Sequence, residues 1–265
     1  MKPRLGIRAL PDFIIIGAQK SATTSLMSYV NQHPRVRTGW GKATHYFDVH
    51  YDRGLGWYAR RFPFLSPLVP LVALVPPSGE RNWITGEKSP SYMFLPEVPA
   101  RVQAVLPDVK IVAVLRDPVS RLITQYHHEA RKGRAPASFE EFVAPSLETE
   151  WPPVCETEEL RQRCAVPREF YEDQIRHWQS FFPAEQFCVL GFEELVKNSG
   201  PTLNELFAFL GLDPHPVDTS KVLNQGTSKG AAPVGSGLLD RLKELYREKN
   251  AGLSELVGRK FAWCP

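Results

Sequence analysis

The sequence predicts an α/β fold, a single domain over residues 1–265 with a mostly parallel central sheet flanked by helices. Short apolar segments rich in β-branched residues alternate with segments of helical periodicity, which is the order that βαβ units produce. This composition is expected for strands that are buried on both sides of a parallel sheet. A chain of 265 residues with 43% hydrophobic and 23% charged residues is also long enough to enclose one full core.

The alternation of these two patterns gives each predicted element in turn. The predicted strands are Phe13–Ile16, Ile84–Glu87, Lys110–Leu115 and Phe187–Leu190. The predicted helices are Thr23–Gln32, Val98–Leu106, Ser120–Arg131, Phe139–Phe142, Arg168–Phe181, Thr202–Leu210, Leu238–Glu248 and Leu253–Val257. The proline-rich segments Pro63–Pro77 and Pro145–Pro153 are expected to form surface loops, and the segment Ser220–Gly237, rich in Gly, Ser and Lys, a functional loop.

The first predicted strand leads into a loop that is typical of phosphate binding. The strand ends at Gly17, a short polar loop carries Lys20, and hydroxyl residues open the following helix. The loop N–H groups and the positive end of the helix dipole would face the anion, while the lysine adds a point charge. The order differs from G-x-x-x-x-G-K-[ST], because Lys20 comes only three residues after Gly17. The loop therefore indicates a phosphate-bearing donor and disfavours a nucleoside triphosphatase.

A second candidate phosphate contact follows the third predicted strand. Arg116 comes directly after Leu115, and ligands in open α/β sheets bind at the carboxyl ends of strands. Thr124 lies two helical turns further along the same face. Taken alone, Arg116 and Asp117 could simply cap a surface helix. Together with the lysine loop, they favour a guanidinium that forks onto a phosphate.

Charge and cysteine content exclude several classes. A net charge of +3 suits a local pocket for an anion but is too weak to indicate nucleic acid as a partner. The four cysteines show no C-x-x-C spacing, so no metal site is expected. Cys188 lies in an apolar strand and is expected to be a buried thiol, whereas Cys155 and Cys164 could pair in an oxidising compartment.

Membrane insertion is not expected from the sequence. The first residues lack the apolar region of a signal peptide, and no transmembrane segment or anchor is evident. The most apolar stretch, Phe62–Pro77, is interrupted by prolines and is shorter than the roughly 20 residues of a membrane span. It predicts a loop packed on the core, or else an apolar lip beside the acceptor site or a patch that contacts lipid.

The spaced motifs together resemble the PAPS-dependent sulfotransferases, most closely the heparan sulfate and other carbohydrate sulfotransferases and their bacterial relatives. The segments in family order are GAQKSATTSL, GLGWYARRFP, ITGEKSPSYMF, VLRDPVSRLITQY and ELVGRKFAW. The likeness runs from about Pro11 to Trp263. It implies a P-loop-like phosphosulfate loop and transfer of a sulfuryl group from PAPS to a hydroxyl or amine of a carbohydrate-type acceptor. Lysines would take the place of a metal, and the product of the donor would be PAP.

The resemblance also implies roles for individual residues on the donor side. Lys20 would contact the 5′-phosphosulfate and its bridging oxygen. The residues that cradle this group would be Ser21, Ala22, Thr23 and Thr24. The 3′-phosphate would be held by Arg116 and Thr124, and a late donor-binding loop would include Lys229 and Gly230.

On the acceptor side, the resemblance places Lys88 of GEKSP near the transferred group, and His45 and Asp48 of Gly41–Asp48 at the reaction centre. Ala43 stands where the family carries its catalytic glutamate, and an alanine cannot deprotonate an acceptor. Three interpretations stay open: a variant from which the base was removed, a protein that uses His45 or another nearby group, or a weak or inactive relative.

A second departure concerns the phosphosulfate loop, where the family usually has glycine after the lysine. This chain has Ser21 and Ala22 there, which is tolerable if both keep negative φ angles.

Two other functions stay open beside sulfuryl transfer. A P-loop kinase for small molecules is disfavoured by the missing G-K-[ST], and a donor-binding protein without catalysis is kept open by Ala43. The expected location is the cytoplasm if the chain is complete and bacterial, or the Golgi lumen if an anchor has been removed. The sequence does not separate O- from N-sulfation.

Overall fold

The structure is a computed structural model that describes residues 8–39, 43–64, 82–152, 164–220 and 235–264. Its centre is a four-stranded sheet in the order β2-β1-β3-β4, and all three strand pairs are parallel. The strands are β1 (Phe13–Gly17), β2 (Gly86–Lys88), β3 (Lys110–Leu115) and β4 (Phe187–Gly191). The predicted α/β class with a parallel sheet is confirmed.

Helices cover both faces of this sheet. In the described part of the chain they are α1 (Thr23–Val30), α2 (Gly54–Ala59), α3 (Val98–Val105), α4 (Pro118–Arg131), α5 (Phe139–Val143), α6 (Tyr171–Gln179), α7 (Phe192–Lys197), α8 (Ser199–Leu210), α9 (Ser236–Lys249) and α10 (Leu253–Val257). The sequence did not predict α2 or α7. The two glycines of α2 argue against a helix, and α7 is a six-residue segment that begins directly after Gly191, the last residue of β4.

For three elements, local interactions explain why the observed bounds differ from the predicted ones. Helix α4 begins two residues before the predicted start, because the side chain of Asp117 accepts a hydrogen bond from the Ser120 N–H at 2.7 Å and Pro118 is tolerated in the first turn. Strand β2 begins later than predicted, because Ile84 forms an isolated bridge with Val36 and precedes the ladder. Helix α6 is shorter than the predicted Arg168–Phe181, because a 3₁₀ turn occupies Val166–Glu169.

The two faces of β1 pack into separate layers. Ile14 and Ile16 contact the layer that contains α3, α6 and the 3₁₀ turn Tyr92–Phe94, whereas Phe13 and Ile15 contact α1 and α8. All four residues are fully buried. Because β1 lies between β2 and β3, the carboxyl ends of three strands meet at one edge of the sheet, where ligands of parallel sheets bind.

Several predictions from the sequence concern residues outside the described ranges. These are Cys155 with its pairing to Cys164, the donor loop residues Lys229 and Gly230, and positions 65–77 of the apolar stretch. The first residue of that stretch, Phe62, is buried in the core. Cys188 is the buried thiol that was expected, and burial raises its pKa to about 12. Within the described residues, no helix is both long and apolar enough to cross a membrane.

Candidate functional site

The loop between β1 and α1 turns through the left-handed region at two residues that are not glycine. Lys20 has a φ of 67° and Ala22, the N-cap of α1, has a φ of 59°. The expectation of negative φ is therefore wrong for Ala22, because the chain must turn there to enter the helix. The strand end before the loop is close-packed: a Cβ on Gly17 would lie 2.7 Å from Cβ of Met93. Backbone of this kind can direct neighbouring N–H groups at one anion.

Replacing Ala22 with glycine is expected to raise the free energy of unfolding by about 1 kcal/mol, because the left-handed conformation costs an L-residue about that much and costs glycine nothing. Thermal or urea unfolding measures the change. The matched control is Ala208→Gly, at an exposed position of α8, where the same substitution should destabilise by a similar amount. If both variants lose stability, Ala22 is not strained.

The start of α1 is suited to an anion. No side chain caps this terminus, and its first turn carries no acidic residue. The first N–H groups of a helix have no partner inside the helix and carry its positive dipole end. The side chain of Ser21 is fully buried, and its Oγ has no hydrogen-bond partner among the described residues. A buried hydroxyl at this place fits a phosphate oxygen of the donor.

Arg116 lies beside the lysine loop, as the sequence predicted. Its Nη1 donates a hydrogen bond to the carbonyl oxygen of Lys20 at 3.1 Å, and its guanidinium carbon lies 4.5 Å from the ring centre of Phe192. Burial lowers the pKa of Arg116. Thr124 is half-buried on α4, and its hydroxyl donates to the Ser120 carbonyl at 2.7 Å. Donation to a phosphate by Thr124 would require its hydroxyl to rotate.

Arg121 supports the lysine loop from α4, and the sequence analysis did not identify it. It is 1% exposed, and its Nε donates to Oε1 of the buried Glu169 at 2.6 Å. Its Nη1 donates to the carbonyl of Gln19 in the lysine loop at 3.3 Å, and Nη2 donates to Gln125 at 2.6 Å. A buried guanidinium needs such partners, since an unpaired buried charge is costly. Arg121 therefore holds the backbone of the loop, whereas Arg116 is half-exposed beside it.

Cations accumulate around Lys20. Burial lowers the pKa of Lys20 to about 8, with a further contribution from the charge of Lys132 at the end of α4. Burial also lowers the pKa of His128 to about 4, and the charge of Lys20 adds to this effect. Crowding of cations that depresses their pKa values is relieved when an anion binds between them. The electrostatics of the loop therefore favour a strongly anionic ligand.

A histidine–aspartate pair lies on the acceptor side. Nδ1 of His45 lies 3.0 Å from Oδ2 of Asp48, and the hydroxyl of Ser91 donates to the same oxygen at 2.6 Å. The Asp48 side chain is 3% exposed and that of His45 is 40% exposed. When the imidazole donates its Nδ1–H to the carboxylate, Nε2 is the nitrogen that can accept a proton.

The charges of this pair support that tautomer. The hydrogen bond with Asp48 raises the pKa of His45, and burial partly opposes the rise. Burial alone would raise the pKa of Asp48, but hydrogen bonds from His45 and Ser91 outweigh it and the pKa is lowered. Asp48 thus stays ionised and orients the ring, as the aspartate does in serine hydrolase triads.

The structure brings this pair to the end of β2. The backbone N–H of His45 donates to Oγ of Ser89 at 3.1 Å, and Lys88 precedes Ser89 at the strand end. Lys88 is half-buried, which lowers its pKa, and its positive charge acts against the pKa rise of His45. Ala43 is half-buried two residues before His45 and offers no titratable group.

The structure shows where the predicted site residues lie. Their chemical roles stay predictions. Ser21, Ala22, Thr23 and Thr24 form the loop end and the first turn of α1, as expected. The sequence missed Arg121, Glu87, Ser89 and Ser91, which contact the predicted residues from neighbouring elements. No group of three or more His, Cys, Asp or Glu suited to a metal ion occurs in the described residues.

The chain is similar to curated proteins over nearly its whole length. The chain is 29% identical to human heparan sulfate glucosamine 3-O-sulfotransferase 3B1 over 284 residues, a match that covers 97% of this chain. The match covers 66% of that relative, so this chain spans just under two thirds of its length.

Solved structures give the same result. The crystal structure of a sulfotransferase from Alicyclobacillus acidocaldarius matches with a TM-score of 0.75 and 27% identity, covering 96% of this chain and 99% of that one. Mouse sulfotransferase SULT7A1, complexed with PAP, matches with a TM-score of 0.57 and 15% identity, covering 97% and 92%. At that identity the likeness to the mouse protein shows the fold alone. The sequence model of the Sulfotransferase domain matches residues 10–229, and this chain therefore belongs to the sulfotransferase domain family.

Proposed function

We propose that this protein transfers a sulfuryl group from PAPS to a hydroxyl or amine of a carbohydrate-type acceptor and releases PAP. The observation that carries the proposal is the pairing of His45 with Asp48 beside the end of β2, at the sheet edge where the lysine loop follows β1. An anion site and an oriented base at one sheet edge are the two requirements of this reaction. Membership of the sulfotransferase family supports it.

The residues divide the work as follows. The loop from Lys20 to Thr24 would hold the 5′-phosphosulfate, and Arg116 with Thr124 would hold the 3′-phosphate. The acceptor oxygen or nitrogen forms a bond to sulfur, the bond from sulfur to the phosphate oxygen breaks, and the electron pair remains on PAP. Lys20 stabilises the charge on that leaving oxygen, and Lys88 lies near the sulfuryl group. Lys229 and Gly230 would complete the donor site.

His45 takes the place of the missing glutamate in this proposal. The proton lost by the acceptor passes to Nε2 of His45, while Asp48 holds Nδ1–H and stabilises the imidazolium that forms. Of the three interpretations of Ala43, the geometry favours the one in which His45 is the base. The imidazole is partly exposed, and its Nδ1 is already paired with Asp48, so Nε2 is the nitrogen that would take the proton.

The acceptor class rests on the relatives. The human relative is named for 3-O-sulfation of heparan sulfate glucosamine, and a glycan is the acceptor that we infer for this chain. Lysine and arginine would carry the charge stabilisation without a metal, and no nucleic acid is proposed as a partner. The compartment would be the one that supplies PAPS to this acceptor: the cytoplasm of a bacterium, or the Golgi lumen for a protein of the secretory pathway.

Binding of PAP without magnesium is the first expected result. At about 100 times its dissociation constant, PAP should add roughly 2.7 kcal/mol to the free energy of unfolding, because it binds the folded protein alone. Thermal melts with PAP, with ATP, and with ATP plus magnesium measure this. A shift that requires magnesium and ATP would instead support a kinase, and PAP without effect would refute the proposed donor.

A bell-shaped pH dependence of kcat/KM is the second expected result. His45 must be neutral to act as a base, and its pKa is raised by Asp48, so activity should rise with pH through a value above the ordinary 6.5 or so. Lys20 must be charged, and its pKa is lowered to about 8, so activity should fall above that pH. In the pH profile of kcat, the alkaline limb should lie at higher pH, because bound PAPS favours the charged form of Lys20 and so raises its pKa.

Initial rates from about pH 5.5 to about pH 9.5 give both limbs of that profile. The variant Lys20→Arg keeps its charge throughout this range, so it should lose the alkaline limb whatever its turnover. An alkaline limb that persists in Lys20→Arg belongs to another group and would contradict the assignment.

A further inference from the structure

We propose that Glu87 is a positioning residue for the base: its buried carboxylate fixes the loop Thr44–Phe47 and so holds His45 in place. This inference rests on the proposed function of His45. The carboxylate is 4% exposed and belongs to β2, next to Lys88. It belongs to the motif GEKSP, in which the sequence analysis assigned a role to Lys88 alone.

The carboxylate is surrounded by hydroxyl groups that donate to it. Oε2 accepts hydrogen bonds from Oγ1 of Thr44 and, at 3.1 Å, from Oγ of Ser89. Oε1 accepts a hydrogen bond from the hydroxyl of Tyr58 at 2.6 Å. Burial raises the pKa of Glu87, and these three hydrogen bonds oppose the rise.

Two of these hydroxyls also accept hydrogen bonds from the backbone of the loop Thr44–Phe47, which carries His45. Oγ of Ser89 accepts from the N–H of His45 at 3.1 Å, and Oγ1 of Thr44 accepts from the N–H of Tyr46 at 3.3 Å. The next N–H, of Phe47, donates to the hydroxyl of Tyr92 at 3.1 Å. Three consecutive N–H groups therefore end on side-chain oxygens, and two of those oxygens donate their own protons to Glu87.

The loop needs this support because His45 has a φ of 49°, in the left-handed region. A residue other than glycine is strained there, at a cost on the order of 1–3 kcal/mol, and stays there only where its surroundings hold it. The hydrogen bonds that the Ser89 and Thr44 hydroxyls accept from the loop N–H groups provide such surroundings. They also direct the imidazole toward Asp48 and Ser91, which contact its Nδ1.

A carboxylate performs this task better than a neutral group of the same shape. It has no proton of its own, so all three hydroxyls must turn their protons toward it. The lone pairs of the Ser89 and Thr44 hydroxyls then face the backbone N–H groups of His45 and Tyr46. A glutamine would offer an N–H₂ group on one side, and at least one hydroxyl would have to turn away. The negative charge of Glu87 also raises the pKa of His45.

The experiment is a double-mutant cycle of Glu87→Gln and His45→Gln, with PAP affinity and the pH profile of kcat/KM measured for each protein. Glu87→Gln should lower kcat about tenfold or more, which corresponds to the free energy of one lost charged hydrogen bond. It should also shift the acid limb to lower pH, because the charge of Glu87 no longer raises the pKa of His45. PAP affinity should be unchanged. The double variant should be no slower than His45→Gln alone, because Glu87 acts through His45.

The control for general loss of stability is Leu206→Val, in the layer on the other side of the sheet. It should lower the melting temperature and leave the pH profile in place. If Glu87→Gln does not fold, Ser89→Ala tests the same link, because it removes the acceptor of the His45 N–H. It should lower kcat and retain PAP affinity.

Each contrary result has a distinct meaning. If His45→Gln is slow but Glu87→Gln and Ser89→Ala match the wild type, the positioning role is overturned and the proposed base stands. If Glu87→Gln slows the His45→Gln protein by a further, independent factor, Glu87 acts elsewhere and the inference is wrong. If His45→Gln is fully active, the proposed base itself fails.

Discussion

The variant His45→Gln is expected to lose about 10²–10⁴-fold in turnover while its PAP affinity stays unchanged. Glutamine keeps the approximate shape and polarity but cannot take the proton of the acceptor. The ring contacts Asp48 and Ser91 on the acceptor side, whereas the donor is held by the loop after β1. Single-turnover transfer from PAPS and calorimetry with PAP separate the two effects.

His50→Gln is the matched control for that substitution. His50 lies two residues after Asp48, and its ring packs against Trp57 at a centroid distance of 5.0 Å. The same change there should leave transfer intact. Asp48→Asn should fall between the two, because Asp48 orients the imidazole without accepting the acceptor's proton. Normal transfer by His45→Gln would mean that the base lies elsewhere in the site.

Loss of Lys20 and loss of Arg116 are expected to have different effects. Lys20→Met should reduce turnover by about 10²–10³-fold with a smaller change in PAP affinity, because its charge matters most as the leaving oxygen becomes negative. Arg116→Met should instead weaken PAP binding by roughly 10–100-fold, the worth of charged hydrogen bonds to a phosphate. Calorimetry with PAP and transfer kinetics at saturating donor distinguish the two.

Arg176→Met controls for the removal of a positive charge from the protein. Arg176 is exposed on α6 and pairs with Glu172 at 2.8 Å. It should retain both PAP affinity and turnover. Equal PAP affinity of the wild type and Arg116→Met would contradict the assignment of Arg116 to the 3′-phosphate.

The sheet could be predicted from the sequence because its strands are short apolar runs with turn residues on both sides. Strand β3 has the predicted bounds, Lys110–Leu115, and β1 and β4 each extend one residue further than predicted, to a glycine. Helix α2 could not be predicted in this way. Gly54 and Gly56 disfavour a helix locally, and the burial of Tyr58 and Ala59 stabilises it instead.

Those parts of the site that directly follow a strand could be predicted from the sequence. Lys20 and Arg116 each follow a strand end, and parallel strands bring their ends together. The supporting residues could not be found, because their partners are distant in the sequence. Glu87 contacts Thr44 and Tyr58, which are 43 and 29 residues away. One local signal was present: a carboxylate inside a predicted buried strand needs hydrogen-bond partners.

Ala22 shows the opposite case, in which local chemistry gave the wrong answer. An alanine after the lysine loop argues for negative φ, yet the chain turns through the left-handed region there. The geometry required to present the first turn of α1 to an anion outweighs the local cost. Strain of this kind at a binding loop is set by the site and cannot be read from residue types.

The most direct measurement is a transfer assay from PAPS to a panel of hydroxyl- and amine-bearing glycans, in the presence of a chelator. The wild type, with Ala43, and Ala43→Glu are compared side by side. Sulfated glycan and PAP should form in equal amounts without a divalent metal. The gain from Ala43→Glu should be small, because His45 already serves as the base. A wild type that releases no sulfated product, beside an Ala43→Glu variant that does, would contradict the account.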